Sequence, residues 1–224
     1  RVPARPAPQP IAPAASCPSS ATGRTLATEA KAKIRMLKPR ERDKLINAIV
    51  FFAGNTEGCG KIKLIKLLYL LDFEHFRQTG RSVTGLDYSA WKFGPVPTAF
   101  FAEWEQPQSD FSDAVEIRSE KVIDFERLKV VPKVEFDKSH FSPRELRLMQ
   151  GLVERFRKDL SMPMVNVTHH ERGPWAKIWD SGRGVNQHIP YALAIADDDE
   201  HADAVREYAD QQASSRTLLG AMNG

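Results

Sequence analysis

The fold of this chain is decided by residues 61–101, which read KIKLIKLLYLLDFEHFRQTGRSVTGLDYSAWKFGPVPTAFF. Within this stretch, residues 67–73 are apolar on nearly every side when they are drawn as a helix. A helix that is apolar all round needs packing partners on several sides. We therefore predict a central buried helix over residues 61–79, ended by Gly80, because glycine favours helix C-termini.

A short strand and a second helix are predicted after the central helix. Residues 86–93 contain three aromatic side chains, which favour an extended backbone. Gly94 and Pro95 are predicted to break this strand, because both residue types interrupt sheets. Pro97 then presets the backbone for a helix over residues 98–106.

Weaker patterns elsewhere predict a mainly α fold with a small β element. Ser142, followed by Pro143 and Glu145, is a strong signal for the start of a helix. Hydrophobic periodicity predicts further helices over residues 40–53, 142–160, 162–170 and 201–212, strands over residues 115–117 and 128–134, and a turn over residues 171–175. The expected result is a compact helical domain around one central buried helix.

Charge and composition divide the chain into a leader and a domain. Residues 1–38 contain seven Lys or Arg and one acidic residue, whereas residues 39–224 contain 25 basic and 28 acidic residues. The net charge of +3 is therefore +6 in the leader and −3 in the rest. We predict a disordered Pro/Ala-rich leader at residues 1–38, a domain over residues 39–215 and a frayed end at residues 216–224.

The composition also limits the partners and the compartment. A mildly acidic domain argues against a core built to track phosphates, although the basic leader can add nonspecific affinity for nucleic acid. No run of about 18 uncharged apolar residues is present, so we predict no transmembrane helix and no membrane partner. Cys17 and Cys59 do not suggest a disulfide framework, and a cytoplasmic location is expected.

Candidate catalytic and metal-binding residues are few. Asp72 and His75 are three residues apart on the central helix, and His169 and His170 lie much later. Together they could ligate a metal ion, but no HExxH-type spacing is present, so structural roles are the favoured interpretation. Asp72 and His75 share a helix face and could simply pair with each other. We predict no metal, no cofactor and no catalytic residue, and we treat Cys59 as part of a turn.

Basic and aromatic side chains leave two questions open. Lys61, Lys63 and Lys66 form a basic segment that is either a solvated helix face or a contact for nucleic acid or an acidic partner. Arg77 and Arg81 extend it. Three aromatic residues belong either to the core or to an interface, and these are Trp91, Phe93 and Trp104.

Three motifs in a fixed order give the chain its resemblance to a family. They are Lys-Leu-Ile-Lys-Leu-Leu-Tyr at residues 63–69, Thr79-Gly80, and Ala-Trp-Lys-Phe-Gly-Pro-Val at residues 90–96. This combination resembles the SocA-like antitoxins, also called Panacea-domain proteins. The motif residues, as scaffold or as partner contacts, are Lys63, Lys66, Leu67, Leu68, Tyr69, Thr79, Gly80, Trp91, Lys92, Phe93, Gly94, Pro95 and Val96.

The resemblance implies a mainly helical, prophage-associated antitoxin that neutralises a cognate protein toxin. It implies direct binding, or delivery of the toxin to a Clp-type protease as a proteolytic adaptor, and it carries over no catalytic residue. Two other functions stay open from the residues. One is a nucleic-acid-binding regulator that uses the leader and residues 61–66, and the other is a metal-dependent hydrolase that uses Asp72, His75, His169 and His170.

Overall fold

A computed structural model describes residues 39–122, 125–159, 164, 168 and 173–222. The predicted leader lies outside these residues, as does most of the helix predicted over residues 162–170. Within them the helices are α1 (Pro39–Asn55), α2 (Lys61–Thr79), α3 (Thr98–Glu103), α4 (Ser109–Ala114), α5 (Pro143–Phe156), α6 (Pro174–Trp179) and α7 (Ala202–Met222). Two antiparallel hairpins pair β1 (Ser89–Trp91) with β2 (Gly94–Val96) and β3 (Val115–Val122) with β4 (Phe125–Pro132). The prediction of a mainly α fold with a small β element is confirmed.

Helix α2 is the centre of the fold, as predicted, and its bounds match the prediction. Every side chain from Lys63 to Phe73 is buried. Helices α1, α5 and α7 and the β1–β2 hairpin all pack against it. Gly80 ends the helix in the left-handed conformation, with φ of 68°, and its N–H donates to the carbonyl of Phe76. The sequence pattern that was apolar all round therefore reflects real neighbours on several sides.

Helix α5 begins at the predicted cap. The Ser142 hydroxyl accepts the Glu145 N–H, and the Glu145 carboxylate accepts the Ser142 N–H, which together form a capping box. Glu145 also accepts a hydrogen bond from Lys44 on α1. Although burial acts to raise the pKa of Glu145, its hydrogen bonds with Lys44 and Ser142 hold that pKa below its ordinary value. The cap therefore also joins α1 to α5.

The β1–β2 hairpin corrects the sequence prediction. Residues 86–93 were expected to form one strand, but β1 covers only Ser89–Trp91. The first strand does end before Gly94 and Pro95, as predicted, but these residues begin a second strand, β2, which was not predicted. Gly94 pairs with Trp91 across a two-residue turn and has φ of 104°, a value that residues with a Cβ rarely adopt. The glycine that looked like a break is what lets the chain reverse.

Other differences concern short or polar elements. Helix α4 was not predicted, because only Phe111 and Ala114 of its six residues are buried and no periodicity is visible. Helix α3 ends at Glu103, earlier than predicted, and α6 begins within the predicted turn over residues 171–175. Strands β3 and β4 are longer than predicted, and α7 continues past residue 212 to Met222.

Candidate functional site

An apolar pocket beside the first two turns of α2 is the candidate binding site. Its volume is about 490 Å³. Four parts of the chain form its wall: Ile62, Ile65 and Lys66 of α2; Trp91, Lys92, Phe93 and Val96 of the hairpin; Phe101 of α3; and Val185 and Asn186 of the loop that follows α6. Pockets of this volume with mostly apolar walls are typical of binding sites.

The mouth of the pocket exposes apolar side chains to solvent. Ile62, Phe93 and Val185 are 41%, 62% and 52% exposed. They are three of the six large hydrophobic side chains that are exposed in the described part of the chain. Single exposed hydrophobic residues are common, but a cluster at one pocket marks an interaction site.

Hydrogen bonds on both sides hold the hairpin wall of the pocket in place. The indole N–H of Trp175 donates to the carbonyl of Trp91 over 3.0 Å. On the other edge of β1, the main chain of Ala90 exchanges hydrogen bonds with Asn186 and Gln187, each 2.8 Å long. The hairpin and the loop carrying Val185 are therefore one bonded unit.

Helix α3 is held by a partly buried ion-pair network. The Arg42 guanidinium of α1 donates to the carboxylates of Glu103 and Asp110, at 2.5 to 2.9 Å. The carboxylates raise the pKa of Arg42, although burial opposes them. This clamp fixes α3, and with it the Phe101 ring that closes one side of the pocket.

Lys66 is a buried cation in the pocket wall. It is only 2% exposed, and its ammonium donates to the carbonyl of Pro95 over 3.1 Å. Burial lowers the pKa of Lys66 from its ordinary 10.5 to about 7. No carboxylate forms an ion pair with it among the described residues. The amine therefore loses its proton at a much lower pH than an exposed lysine does.

Trp91 has features of both predicted roles, core residue and interface anchor. Its indole is partly buried and packs on the Phe101 ring, with the ring centroids 5.1 Å apart. Its N–H is buried and has no acceptor among the described residues. By contrast, Phe93 is exposed at the pocket mouth, while Trp104 is buried in the core. The three aromatic residues considered together in the sequence therefore have three different environments.

The predicted solvated face at residues 61–66 is wrong for two of its three lysines. Lys63 is fully buried, and its ammonium donates to the main-chain carbonyls of Glu57 and Arg157 over 2.9 and 3.0 Å. Burial also lowers the pKa of Lys63. Lys63 thus supplies hydrogen-bond donors to one carbonyl at the end of α5 and to one in the turn before α2. Carbonyls at helix C-termini commonly need such a donor, because they lack a partner within the helix. Lys63 and Lys66 do not present a basic surface to nucleic acid.

Lys61 is partly buried and packs on Phe101, a residue of the pocket wall. Its ammonium sits 3.5 Å from the centroid of the Phe101 ring and forms an ion pair with Glu105 at 3.3 Å. A cation over an aromatic face is attracted to the ring quadrupole. Lys61 therefore covers one face of the Phe101 ring.

Asp72 and His75 have structural roles and do not pair with each other as the sequence suggested. The Asp72 carboxylate accepts hydrogen bonds from the main-chain N–H groups of Val83 and Thr84 and from the hydroxyls of Thr84 and Tyr88. Burial raises the pKa of Asp72 to about 6 despite these bonds. Nδ1 of His75 bonds to the carbonyl of Arg81 over 2.7 Å.

These bonds use the groups that a metal site on α2 would need. Among the described residues, no group of three His, Cys, Asp or Glu side chains could hold a metal ion. His169 and His170 lie outside those residues. The Cys59 thiol is fully buried and burial raises its pKa, whereas a nucleophilic cysteine needs a lowered pKa.

The structure divides the motif residues into two groups. The first packs or turns within the scaffold, and it consists of Lys63, Leu67, Leu68, Tyr69, Thr79, Gly80, Gly94 and Pro95. The second lines the apolar pocket, and it consists of Lys66, Trp91, Lys92, Phe93 and Val96. Tyr69 illustrates the first group, since it is buried and hydrogen-bonds to the main chain of Trp175.

Sequence reasoning missed half of the pocket. Ile62, Ile65 and Lys66 recur at helical spacing on one face, and this was the available signal for the α2 wall. Val185 and Asn186 gave no comparable signal, because only the fold brings that loop beside β1.

A second, basic cavity was also missed. Its volume is about 800 Å³, and it lies between α1, the start of α5 and the segment after Gly80. Its wall contains five basic side chains and two acidic ones, namely Arg40, Lys44, Arg81, Arg144 and Arg147 with Glu41 and Glu145.

A family model described as antitoxin SocA-like, Panacea domain, matches residues 64–176, which is half of the chain. The match includes the hairpin and α3 but stops before Val185. No curated protein and no solved structure matched the chain. Within the described residues, no helix is both long enough and apolar enough to cross a membrane.

Proposed function

The chain belongs to the SocA-like antitoxin family with a Panacea domain, and we propose that it neutralises a cognate protein toxin by binding it directly. In this proposal it is a cytoplasmic binding protein rather than an enzyme. The observation that carries the proposal is the apolar pocket, six of whose wall residues lie within the motif segments 63–69 and 90–96.

The chemistry of the pocket supports a protein partner. Binding energy at protein interfaces is concentrated in a few aromatic and apolar side chains that lose water on binding. Phe93, Val185 and Ile62 offer such side chains at the mouth, and Trp91 and Phe101 form the wall behind them. The bonded hairpin presents them on a preorganised surface, which reduces the entropy lost on association.

The test uses the product of the gene beside the one that encodes this chain. That product, expressed alone in a bacterial host, should stop growth, and co-expression of this chain should restore it. Val185→Asp should abolish the rescue and the copurification, because it places a charge in the apolar contact. Val134→Asp is the matched control, since Val134 is 47% exposed and lies outside the pocket wall.

Two results would contradict the proposal. One is a neighbouring product that is not toxic and does not copurify with this chain. The other is equal rescue by Val185→Asp and by the wild type. In that case the chain would still be an antitoxin, but the pocket would not be the surface that contacts the toxin.

Direct binding and proteolytic delivery differ in what happens to the toxin. Direct binding keeps the amount of toxin constant while growth recovers. An adaptor for a Clp-type protease lowers the amount of toxin in cells with the protease and fails to rescue cells without it. Immunoblots of the toxin in both strains separate the two.

A second function, regulation through nucleic-acid binding, is favoured by the basic cavity rather than by residues 61–66. The side chains of Arg40, Arg81 and Arg144 converge there without a matching number of carboxylates. Such a cavity would give DNA binding that weakens steeply with added salt and with Arg81→Gln. Absence of binding to DNA or RNA at about 50 mM salt would remove this function.

A further inference from the structure

We infer that the apolar pocket binds the C-terminal residue of a partner chain, with its apolar side chain against the pocket wall and its free carboxylate beside Lys66. This inference rests on the proposed function and describes the part of the toxin that enters the pocket.

Two residues of the pocket wall have N–H groups for which the described residues supply no acceptor. The Lys66 ammonium uses one of its three N–H groups on the Pro95 carbonyl, and no other acceptor for it occurs among the described residues. The Trp91 indole N–H is buried and without an acceptor in the same part of the chain. A buried donor without an acceptor destabilises the folded state, so a ligand that brings acceptors gains affinity.

The charges around Lys66 favour an anionic ligand. Lys92 lines the pocket, Lys61 packs on the wall residue Phe101, and Lys63 lies on the same helix. Two acids at the end of α3 and just after it already have partners, since Glu103 pairs with Arg42 and Glu105 with Lys61. A carboxylate would therefore meet a cation that no described acid neutralises.

A chain end fits these requirements better than an internal acidic residue. The last residue of a chain carries its side chain and its carboxylate on the same Cα, so both groups can enter one pocket of about 490 Å³. An internal Asp or Glu would have to bring main chain on both sides past the rim formed by Ile62, Phe93 and Val185. Capture of a C-terminal carboxylate is one of the recurring modes of peptide recognition.

The test titrates the purified full chain with three defined peptides at pH 6, by isothermal calorimetry. The probe is N-acetyl-Gly-Leu-Phe with a free carboxylate. The second peptide is the same sequence with a C-terminal amide, and the third is N-acetyl-Leu-Glu-Phe amide, whose carboxylate is internal. We expect the free acid to bind at least about tenfold more tightly than either amide, because only it places a charge beside Lys66.

Two further measurements connect the effect to Lys66. Lys66→Met should reduce the affinity for the free acid to that for the amide, whereas Lys138→Met, an identical charge change at an exposed site, should have no effect. With the wild type, affinity for the free acid should be about tenfold weaker at pH 8 than at pH 6, because Lys66 loses its proton across that interval.

Equal affinities for the acid and its amide, or no saturable binding of the acid, would overturn the inference. The comparison of peptides on the wild type needs no variant, so a folding defect cannot obscure it. If the toxin is neutralised but the acid shows no preference, only this inference fails. If the acid is preferred but the neighbouring product is not neutralised, the proposed function fails.

Discussion

Replacement of Lys66 by Met should stabilise the domain, and the gain should depend on pH. Lys66 is 2% exposed and has no described counter-charge, so folding moves an ammonium out of water without compensation. Burial lowers its pKa from 10.5 to about 7. At about 1.4 kcal/mol per unit of pKa, this corresponds to about 5 kcal/mol against folding when the amine is charged in the unfolded chain.

The sign and the pH range follow from the two pKa values. The folded state binds fewer protons than the unfolded state between pH 7 and pH 10.5, so stability rises with pH across that range and levels off below pH 7. Methionine has a similar length and no charge, but it loses the hydrogen bond to Pro95, worth about 1 kcal/mol. We therefore expect Lys66→Met to gain about 4 kcal/mol at pH 6 and about 1 kcal/mol at pH 9.

The assay is urea unfolding at 25 °C, followed by circular dichroism, at both pH values. The free energy of unfolding should change while its dependence on urea concentration stays constant. Lys138→Met, at an exposed site, should stay within about 0.5 kcal/mol of the wild type throughout. A Lys66→Met protein that is less stable than the wild type at pH 6, or whose advantage is the same at pH 9, would refute the reasoning.

Three other substitutions, two of them with a comparison variant, test separate parts of the structure. Gly80→Ala should destabilise the protein by about 1–3 kcal/mol in the same urea assay, because φ is 68° and an added Cβ would lie 2.8 Å from the Val205 carbonyl oxygen. Gly151→Ala, at a position of α5 where an added Cβ meets no other atom, should instead stabilise the protein by about 0.5–1 kcal/mol. A Gly80→Ala protein more stable than the Gly151→Ala protein would contradict the packing of α7 against Gly80. Asp72→Asn should flatten the pH dependence of stability between pH 3.8 and about 6. In that range the wild type loses up to about 3 kcal/mol of stability as pH rises, because the Asp72 carboxyl is protonated more readily in the folded chain. An unchanged slope of stability against pH would show that Asp72 does not titrate in that range. Phe93→Ser should leave the unfolding free energy within about 0.5 kcal/mol of the wild type yet abolish toxin binding, whereas Leu128→Ser, at a residue 50% exposed outside the pocket, should change neither.

The sequence predicts the central helix well, because its signals are local. The apolar run ending at Phe73 and the glycine at residue 80 both act within a few turns, so the bounds of α2 follow from them. The same holds for the cap at Ser142, whose hydrogen bonds join residues three apart. Such elements need no knowledge of the rest of the fold.

The pocket could not be predicted to the same extent, because its wall is assembled by tertiary contacts. The role of Gly94 depends on pairing with Trp91, and the position of Val185 depends on hydrogen bonds between its loop and β1. The burial of Lys66 likewise depends on the Pro95 carbonyl arriving beside it. A lysine at helical spacing among other lysines is typical of a solvated face, and only the fold shows otherwise.

A stabilising substitution that destroys binding would distinguish a functional lysine from a structural one. Proteins often retain destabilising groups where binding needs them. Lys63 provides the contrast, since its two carbonyl acceptors are supplied by the chain itself. We expect Lys63→Met to destabilise the protein at pH 6, opposite in sign to Lys66→Met, and urea unfolding measures both.

The claim that the apolar pocket binds the toxin is tested most directly by an affinity measurement. Purified toxin is titrated against the wild-type chain and two variants. Val185→Asp and Val134→Asp add the same charge at exposed valines, but only Val185 lies in the pocket wall. We predict that Val185→Asp raises the Kd by at least about 30-fold, equivalent to about 2 kcal/mol, while Val134→Asp changes it by less than about twofold. Equal affinities for all three proteins would contradict the assignment of the apolar pocket as the surface that binds the toxin.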